Sequence, residues 1–188
     1  MHKLGFVHND LKLDNILTGY KDPSKIYLID FGLSQSFVNE NGEHVKKVNL
    51  NKFTGNFMFA SLNSCRGNNK SRRDDIQSCM MIMIYLLNDK LPWSDFNTKF
   101  KDLSKSFSDY LGERLELSYT KELFKMVPKS FRSVLKQILV LTFDKEPEYD
   151  LYISKIKVEM MKEVQIGPDL QPMAHVFEWN QNQAQIIK

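Results

Sequence analysis

Two short stretches near the amino terminus carry residue types suited to chemistry: His8-Asn9-Asp10-Leu11-Lys12-Leu13-Asp14-Asn15 and, further on, Asp30-Phe31-Gly32. Asp10 is a carboxylate that can orient an attacking hydroxyl or take its proton. Asn15 and Asp30 offer hard oxygens, the donors that magnesium prefers. Lys12 supplies a cation to balance charge building on a transferred phosphoryl group. Base, metal ligands and cation together suit phosphoryl transfer, where the protein contributes positioning and charge neutralisation rather than covalent chemistry.

A lone His-x-Asp is a weak signal, readable as a loop histidine beside a capping aspartate. The octet with Asp-Phe-Gly behind it is stronger, because its parts depend on one another. That spacing needs an element that returns the chain. Ile16-Leu17-Thr18 and Ile26-Tyr27-Leu28-Ile29 read as two short strands around the turn Gly19-Tyr20-Lys21-Asp22-Pro23-Ser24. Such a hairpin predicts Asn15 and Asp30 beside each other at its open end.

The 188 residues, 42% hydrophobic with mixed charges, suit one globular domain or part of one, with a substantial core. The net charge of +3 is small, and no basic run interleaved with aromatics argues for a nucleic-acid partner. With no transmembrane run and no signal-like amino terminus, the expectation is a soluble, intracellular protein, cytoplasmic and/or nuclear, and a monomer. Cys65 and Cys79 lack framework spacing and read as free thiols. His2, His8, His44 and His175 are too scattered for a zinc site.

Further along, Asn39-Glu40-Asn41-Gly42-Glu43-His44 reads as an exposed loop. Ser71-Arg72-Arg73-Asp74 has the form of a capping box, with Ser71 at the N-cap and Asp74 at N3. The run Asp75 to Leu87 is apolar nearly all round and too short for a bilayer, which predicts a central buried helix ended by Leu91-Pro92-Trp93. Phe96, Phe100, Leu103 and Phe107 have amphipathic helical spacing. So do Phe131, Leu135, Ile138 and Thr142, with Val134, Leu139 and Leu141 widening the face. After Pro147 a last helix is expected from Asp150, with Ile153, Ile156 and Met160 on one side, stopped by Gly167-Pro168. Phe177-Glu178-Trp179 is expected to pack back on the body.

Five further stretches carry a resemblance, in this order: Ala60-Ser61-Leu62-Asn63, Ser71-Arg72-Arg73-Asp74-Asp75, Leu91-Pro92-Trp93, Phe143-Asp144-Lys145-Glu146-Pro147-Glu148-Tyr149 and Phe177-Glu178-Trp179-Asn180. With the catalytic octet and Asp-Phe-Gly, they make the chain resemble the carboxy-terminal lobe of a casein kinase I family protein kinase over nearly its whole length. The resemblance implies an α+β, protein-kinase-like fold: a mainly helical lobe with a small β-hairpin at the catalytic loops. Residues 1–163 would form part of a kinase domain and 164–188 an extension packing on it. It implies transfer of the ATP γ-phosphate, with Mg2+, to serine or threonine of protein substrates, often near acidic or phosphorylated residues. Asp10 would be the base, Lys12 the phosphate partner, and Asn15 and Asp30 the metal ligands. His8, Phe31 and Gly32 would support them. Asp75 would brace the catalytic-loop backbone, the alternative being an ordinary first-turn acid favoured by the helix dipole.

The chain departs from that family's pattern at several points. Asn9 stands where arginine is usual, removing the cation able to grip an activation-loop phosphate. Leu13 replaces a proline, and Met58 an arginine that helps hold an anionic group on the substrate. Lys70, Arg72 and Arg73 form either an anion patch or a solvated face. The sequence holds no glycine-rich loop, strand lysine or partner glutamate, which implies that the amino-terminal lobe is missing. Part of the central helix would then be an exposed apolar patch. Two readings follow: a serine/threonine kinase, or a kinase-lobe piece acting as a binding module or surviving as a remnant.

Overall fold

The structure, a computed structural model, describes residues 1–95, 107–118 and 121–163. It mixes helices with two small antiparallel sheets. Strand β1 (Phe6–Val7) pairs with β4 (Gln35–Ser36), and β2 (Ile16–Thr18) pairs with β3 (Ile26–Leu28). The β2–β3 register sets Ile16 opposite Leu28 and Thr18 opposite Ile26. At the turn, a Cβ on Gly19 would lie 2.5 Å from the Asp22 carbonyl, so only glycine fits there. At the open end the Ile29 N–H donates to the Asn15 carbonyl at 3.0 Å, which brings the two site-bearing segments together.

Short helix α1 (Leu62–Cys65) leads into the long α2 (Arg72–Asn88). The start of α2 follows its sequence signal: the Asp74 carboxylate reaches back to accept the Ser71 N–H at 2.7 Å. Its end does not. The helix stops at Asn88 because Asp89 adopts a left-handed conformation, φ 56°, ahead of Leu91-Pro92-Trp93. Asn88 Nδ2 donates to the carbonyls of Ile84 and Met126, which anchors that end.

Beyond it lie α3 (Phe107–Ser118), α4 (Lys121–Lys125), α5 (Arg132–Leu139) and α6 (Tyr149–Glu163). The expected helical residues 96–106 and the tail from 164, with Phe177 and Trp179, lie outside the described residues. On α5, Val134, Leu135, Ile138 and Leu139 are buried as the spacing predicts, while Leu141 and Thr142 fall beyond the helix end. On α6 the buried residue is Tyr152, with Ile156 packed against the core and Ile153 exposed. Of the predicted face, Ile156 is thus inward as expected, while Tyr152 rather than Ile153 takes the buried place.

The core gathers Ile84, Leu91, Trp93, Leu123, Phe131, Leu135 and Ile138 around the middle of α2. The helix is not buried all round. Ile76, Cys79, Met83 and Leu86, spaced at three, four and three residues, form a half-covered to exposed stripe, and Leu86 is 62% exposed. An open cleft of about 1000 Å³ borders its first half, lined by His2, Ile76, Cys79, Tyr149 and Ile153 among others. Among the described residues no helix is long and apolar enough to cross a membrane.

Leu135 is fully buried between α5 and α2. Leu135→Ala is expected to destabilise the fold by about 2–5 kcal/mol, read as a lower urea midpoint at unchanged slope.

Candidate active site

Asp10 follows β1 in a loop whose geometry its neighbours impose. His8 is buried; its Nε2 donates to the Ile29 carbonyl at 3.0 Å, and its Nδ1 accepts the Asp10 N–H at 3.3 Å. The ring therefore ties the Asp10 loop to the residue preceding Asp30 and leaves the proton on Nε2. Asn9 sits at φ 70°, a left-handed conformation that asparagine tolerates, and its Nδ2 donates to the Leu33 carbonyl at 2.8 Å.

Three of the expected site residues converge. Lys12 Nζ donates to Asp10 Oδ2 at 2.9 Å. Asn15, buried in the turn before β2, donates from Nδ2 to the Asp10 carbonyl at 2.9 Å and to Asp10 Oδ2 at 3.4 Å. The hydrogen bond that Lys12 donates to Asp10 raises the Lys12 pKa, and the charges of Asp10, Asp30 and Asp14 add to the rise, so Lys12 stays a cation at neutral pH. Asp30 is exposed, at φ 60°, with Oδ1 accepting the Gly32 N–H at 3.2 Å. Among the described residues no donor engages Asn15 Oδ1 or Asp30 Oδ2. Phe31 is 54% exposed, its ring 5.3 Å from that of His8.

Asp75, in the first turn of α2, is 4% exposed. Its Oδ2 accepts the His8 N–H at 2.7 Å and its Oδ1 the Asn9 N–H at 3.0 Å. A third donor, which the sequence did not flag, is His2: its Nε2 donates to Asp75 Oδ2 at 2.9 Å, while its Nδ1 accepts from the Tyr149 hydroxyl at 2.7 Å. The chain Tyr149–His2–Asp75 thus links α6 to the Asp10 loop through α2. The first-turn position of Asp75 serves both readings made of it, but the backbone donors occupy both oxygens.

The segment from Thr54 to Ala60 runs beside Asp10 and is held by its carbonyls. Trp93 Nε1 donates to the Met58 carbonyl at 2.8 Å. Arg114, fully enclosed and stacked 3.8 Å over the Trp93 ring, donates to the carbonyls of Phe57 at 3.2 Å and Ala60 at 2.5 Å. Burial pushes the Arg114 pKa down to about 10, which still leaves a cation at neutral pH. Lys70 Nζ donates to the carbonyls of Asn9 at 2.6 Å and Thr54 at 2.8 Å. Neither sequence reading of the basic cluster describes it. Arg73 is buried against Phe143, and Arg72 lies over Phe37 and donates to the Asp144 carbonyl at 2.9 Å, so these cations are spent inside the fold.

Removing the brace exposes its role. Asp75→Ala leaves the His8 and Asn9 amides without acceptors, at a cost of about 1–3 kcal/mol for each buried group. The expected result is faster amide exchange at residues 8 and 9 and a lower denaturation midpoint.

The sequence profile of the protein kinase domain matches residues 1–150. A protein of Encephalitozoon cuniculi (strain GB-M1), described as a "Probable casein kinase I homolog", is 35% identical over 95 residues. That match takes in 50% of this chain and 29% of the relative, so the chain spans under a third of the curated relative it matches. With the family profile covering the octet, Asp30-Phe31-Gly32 and the helices that brace them, the chain belongs to the protein kinase domain family.

Proposed function

We propose that this chain carries the catalytic side of a serine/threonine protein kinase of casein kinase I type. The reaction moves the γ-phosphoryl group of ATP to a serine or threonine hydroxyl of a protein substrate: a new P–O bond forms, the bond to the β-phosphate oxygen breaks, and ADP leaves. The observation that supports this most is the convergence of Lys12 and Asn15 on Asp10 Oδ2, which leaves Oδ1 for another partner. Oδ1 lies on the side of Gly55, 3.6 Å from where a Cβ there would stand.

In this reading Asp10 Oδ1 accepts the hydroxyl hydrogen of the substrate and orients its oxygen, while Lys12 holds Oδ2 in place and faces the phosphoryl charge. The segment Thr54–Ala60 forms the floor for the substrate chain. Asn15 Oδ1 and Asp30 Oδ2 are hard oxygens open to a cation, which fits Mg2+. That ion, when bound, neutralises charge on the phosphates. The engagement of Arg72 and Arg73 inside the fold, together with Met58, supports a substrate preference that does not depend on an acidic or phosphorylated neighbour.

One observation favours a second reading, a kinase-lobe binding module: the stripe Ile76, Cys79, Met83 and Leu86 and the cleft beside it present apolar surface to a partner. Magnesium-dependent transfer of labelled phosphate from ATP to serine- and threonine-containing peptides separates the two. A kinase transfers the label, and Asp10→Asn lowers the rate by about 10²–10⁴-fold without lowering the melting temperature. Absence of transfer leaves the binding reading, and full activity in Asp10→Asn overturns the role given to Asp10.

A further inference from the structure

We propose that Lys70 is a positioning residue, a fixed ammonium clamp that sets the distance between the Asp10 loop and the substrate floor; the proposal rests on the reading of this site as a phosphotransferase centre. Its Nζ bridges two carbonyls that are far apart in sequence, Asn9 at 2.6 Å and Thr54 at 2.8 Å. Asn9 immediately precedes Asp10, and Thr54 opens the floor. No other side chain described here joins these two segments by hydrogen bonds.

What the clamp holds is unusually close. Gly55, at φ 98°, has room for no side chain: a Cβ would fall 2.9 Å from Lys70 Nζ and 3.0 Å from the Asn9 carbonyl oxygen. The floor therefore meets the catalytic loop backbone to backbone, with the ammonium in the gap between two carbonyl dipoles. Both lone-pair regions would face each other there without the cation. The Asn9 end is already fixed from two other sides, by Asp75 at its N–H and by Leu33 at its Nδ2. Lys70 thus completes a rigid reference and hangs the floor from it.

The surroundings act on the clamp's charge in both directions. Burial lowers the Lys70 pKa, and the charges of Asp74, Asp75 and Asp10 oppose that fall. Arg72 and Arg73 are occupied elsewhere, so neither neighbour can take over the role. The sequence left Lys70 between an anion patch and a solvated face; the two carbonyl contacts give it a different task.

Three proteins decide the matter: the wild type, Lys70→Met, which keeps the stem and removes the donors, and Lys70→Arg, which keeps a charged donor. In hydrogen–deuterium exchange, Lys70→Met is expected to speed exchange in residues 54–60 about tenfold while residues 76–84 of α2 stay as protected as in the wild type. Lys70→Arg restores most of the protection. In phosphate transfer, Lys70→Met is expected to lower kcat by about ten- to a hundredfold at an unchanged KM for ATP, because the hydroxyl is misplaced relative to Asp10. Unchanged exchange at 54–60 in Lys70→Met, equal loosening of α2, or failure of Lys70→Arg to restore protection would overturn the proposal. Should the wild type transfer no phosphate, the kinase reading alone falls, and the exchange comparison still decides whether Lys70 holds the floor.

Discussion

The buried carboxylate of Asp75 is the constraint on which the site depends. A carboxylate removed from water is costly unless donors replace its hydration, and here two backbone amides and one imidazole do so. The same three contacts work in the opposite direction. The His8 and Asn9 amides belong to a loop in which Asn9 is left-handed, so no strand or helix ladder is available to them. Helix and loop each satisfy what the other would leave unpaired. Because His2 is held in turn by Tyr149, the brace extends from α6 across α2 to the Asp10 loop.

The first two turns of α2 form a second kind of core, polar rather than apolar. Ser71, Arg73, Asp74, Asp75 and Gln77 are all buried there. Ser61 donates to Asp74 Oδ1 at 2.5 Å while its oxygen accepts the Ser64 N–H, so one hydroxyl caps α1 and fastens it to α2. Gln77 accepts the Leu62 N–H and donates to the Ile138 carbonyl, which joins α1 to the end of α5. Where donors and acceptors pair, such a network fixes geometry more sharply than apolar contacts do; Arg73 Nε and Nη2 are buried there without a hydrogen-bond partner. The apolar half of the core, from Met80 to Trp93, supplies the hydrophobic stabilisation, and the polar half aims the loops.

This division explains what could be read from the sequence. The octet, the hairpin and the Ser71–Asp74 start were legible because each is local: the relevant partners lie within a few residues, and the spacing encodes the bond. The burial of Val134, Leu135 and Ile138 was legible from helical periodicity. The end of α2 was missed because Asp89 stops it through a backbone conformation, whereas Pro92 looked like the stronger stop. On α6 Ile156 was placed inward correctly, but Ile153 was not, because Tyr152, half polar, takes the core position beside it. Lys70, Trp93 and Arg114 escaped notice as holders of the floor because each donates to backbone carbonyls more than 15 residues away. A carbonyl acceptor leaves no residue-type signature, so such a bond has nothing to match in a motif. Arg114 carried one faint signal: an arginine beside the apolar positions Tyr110 and Leu117 of a helix, where a solvated face would be polar on both sides.

The site is dry on one side and open on the other, and the two sides have different work. Asp10 and Asn15 are within 8% of full enclosure, and the Lys12 ammonium that meets Asp10 comes from the solvent side. Asp30 and Phe31, only a hairpin away, are exposed. A proton acceptor benefits from geometry that exists before the substrate arrives, since reorganising it during the reaction would add to the barrier. A ligand for phosphate-bound metal has the opposite requirement: its oxygen must stay uncommitted until the cation comes. Asp10 Oδ2, ahead of the hairpin, is engaged by Lys12 and Asn15, while Asp30, just past its far strand, is exposed, which is what the two proposed roles ask of them.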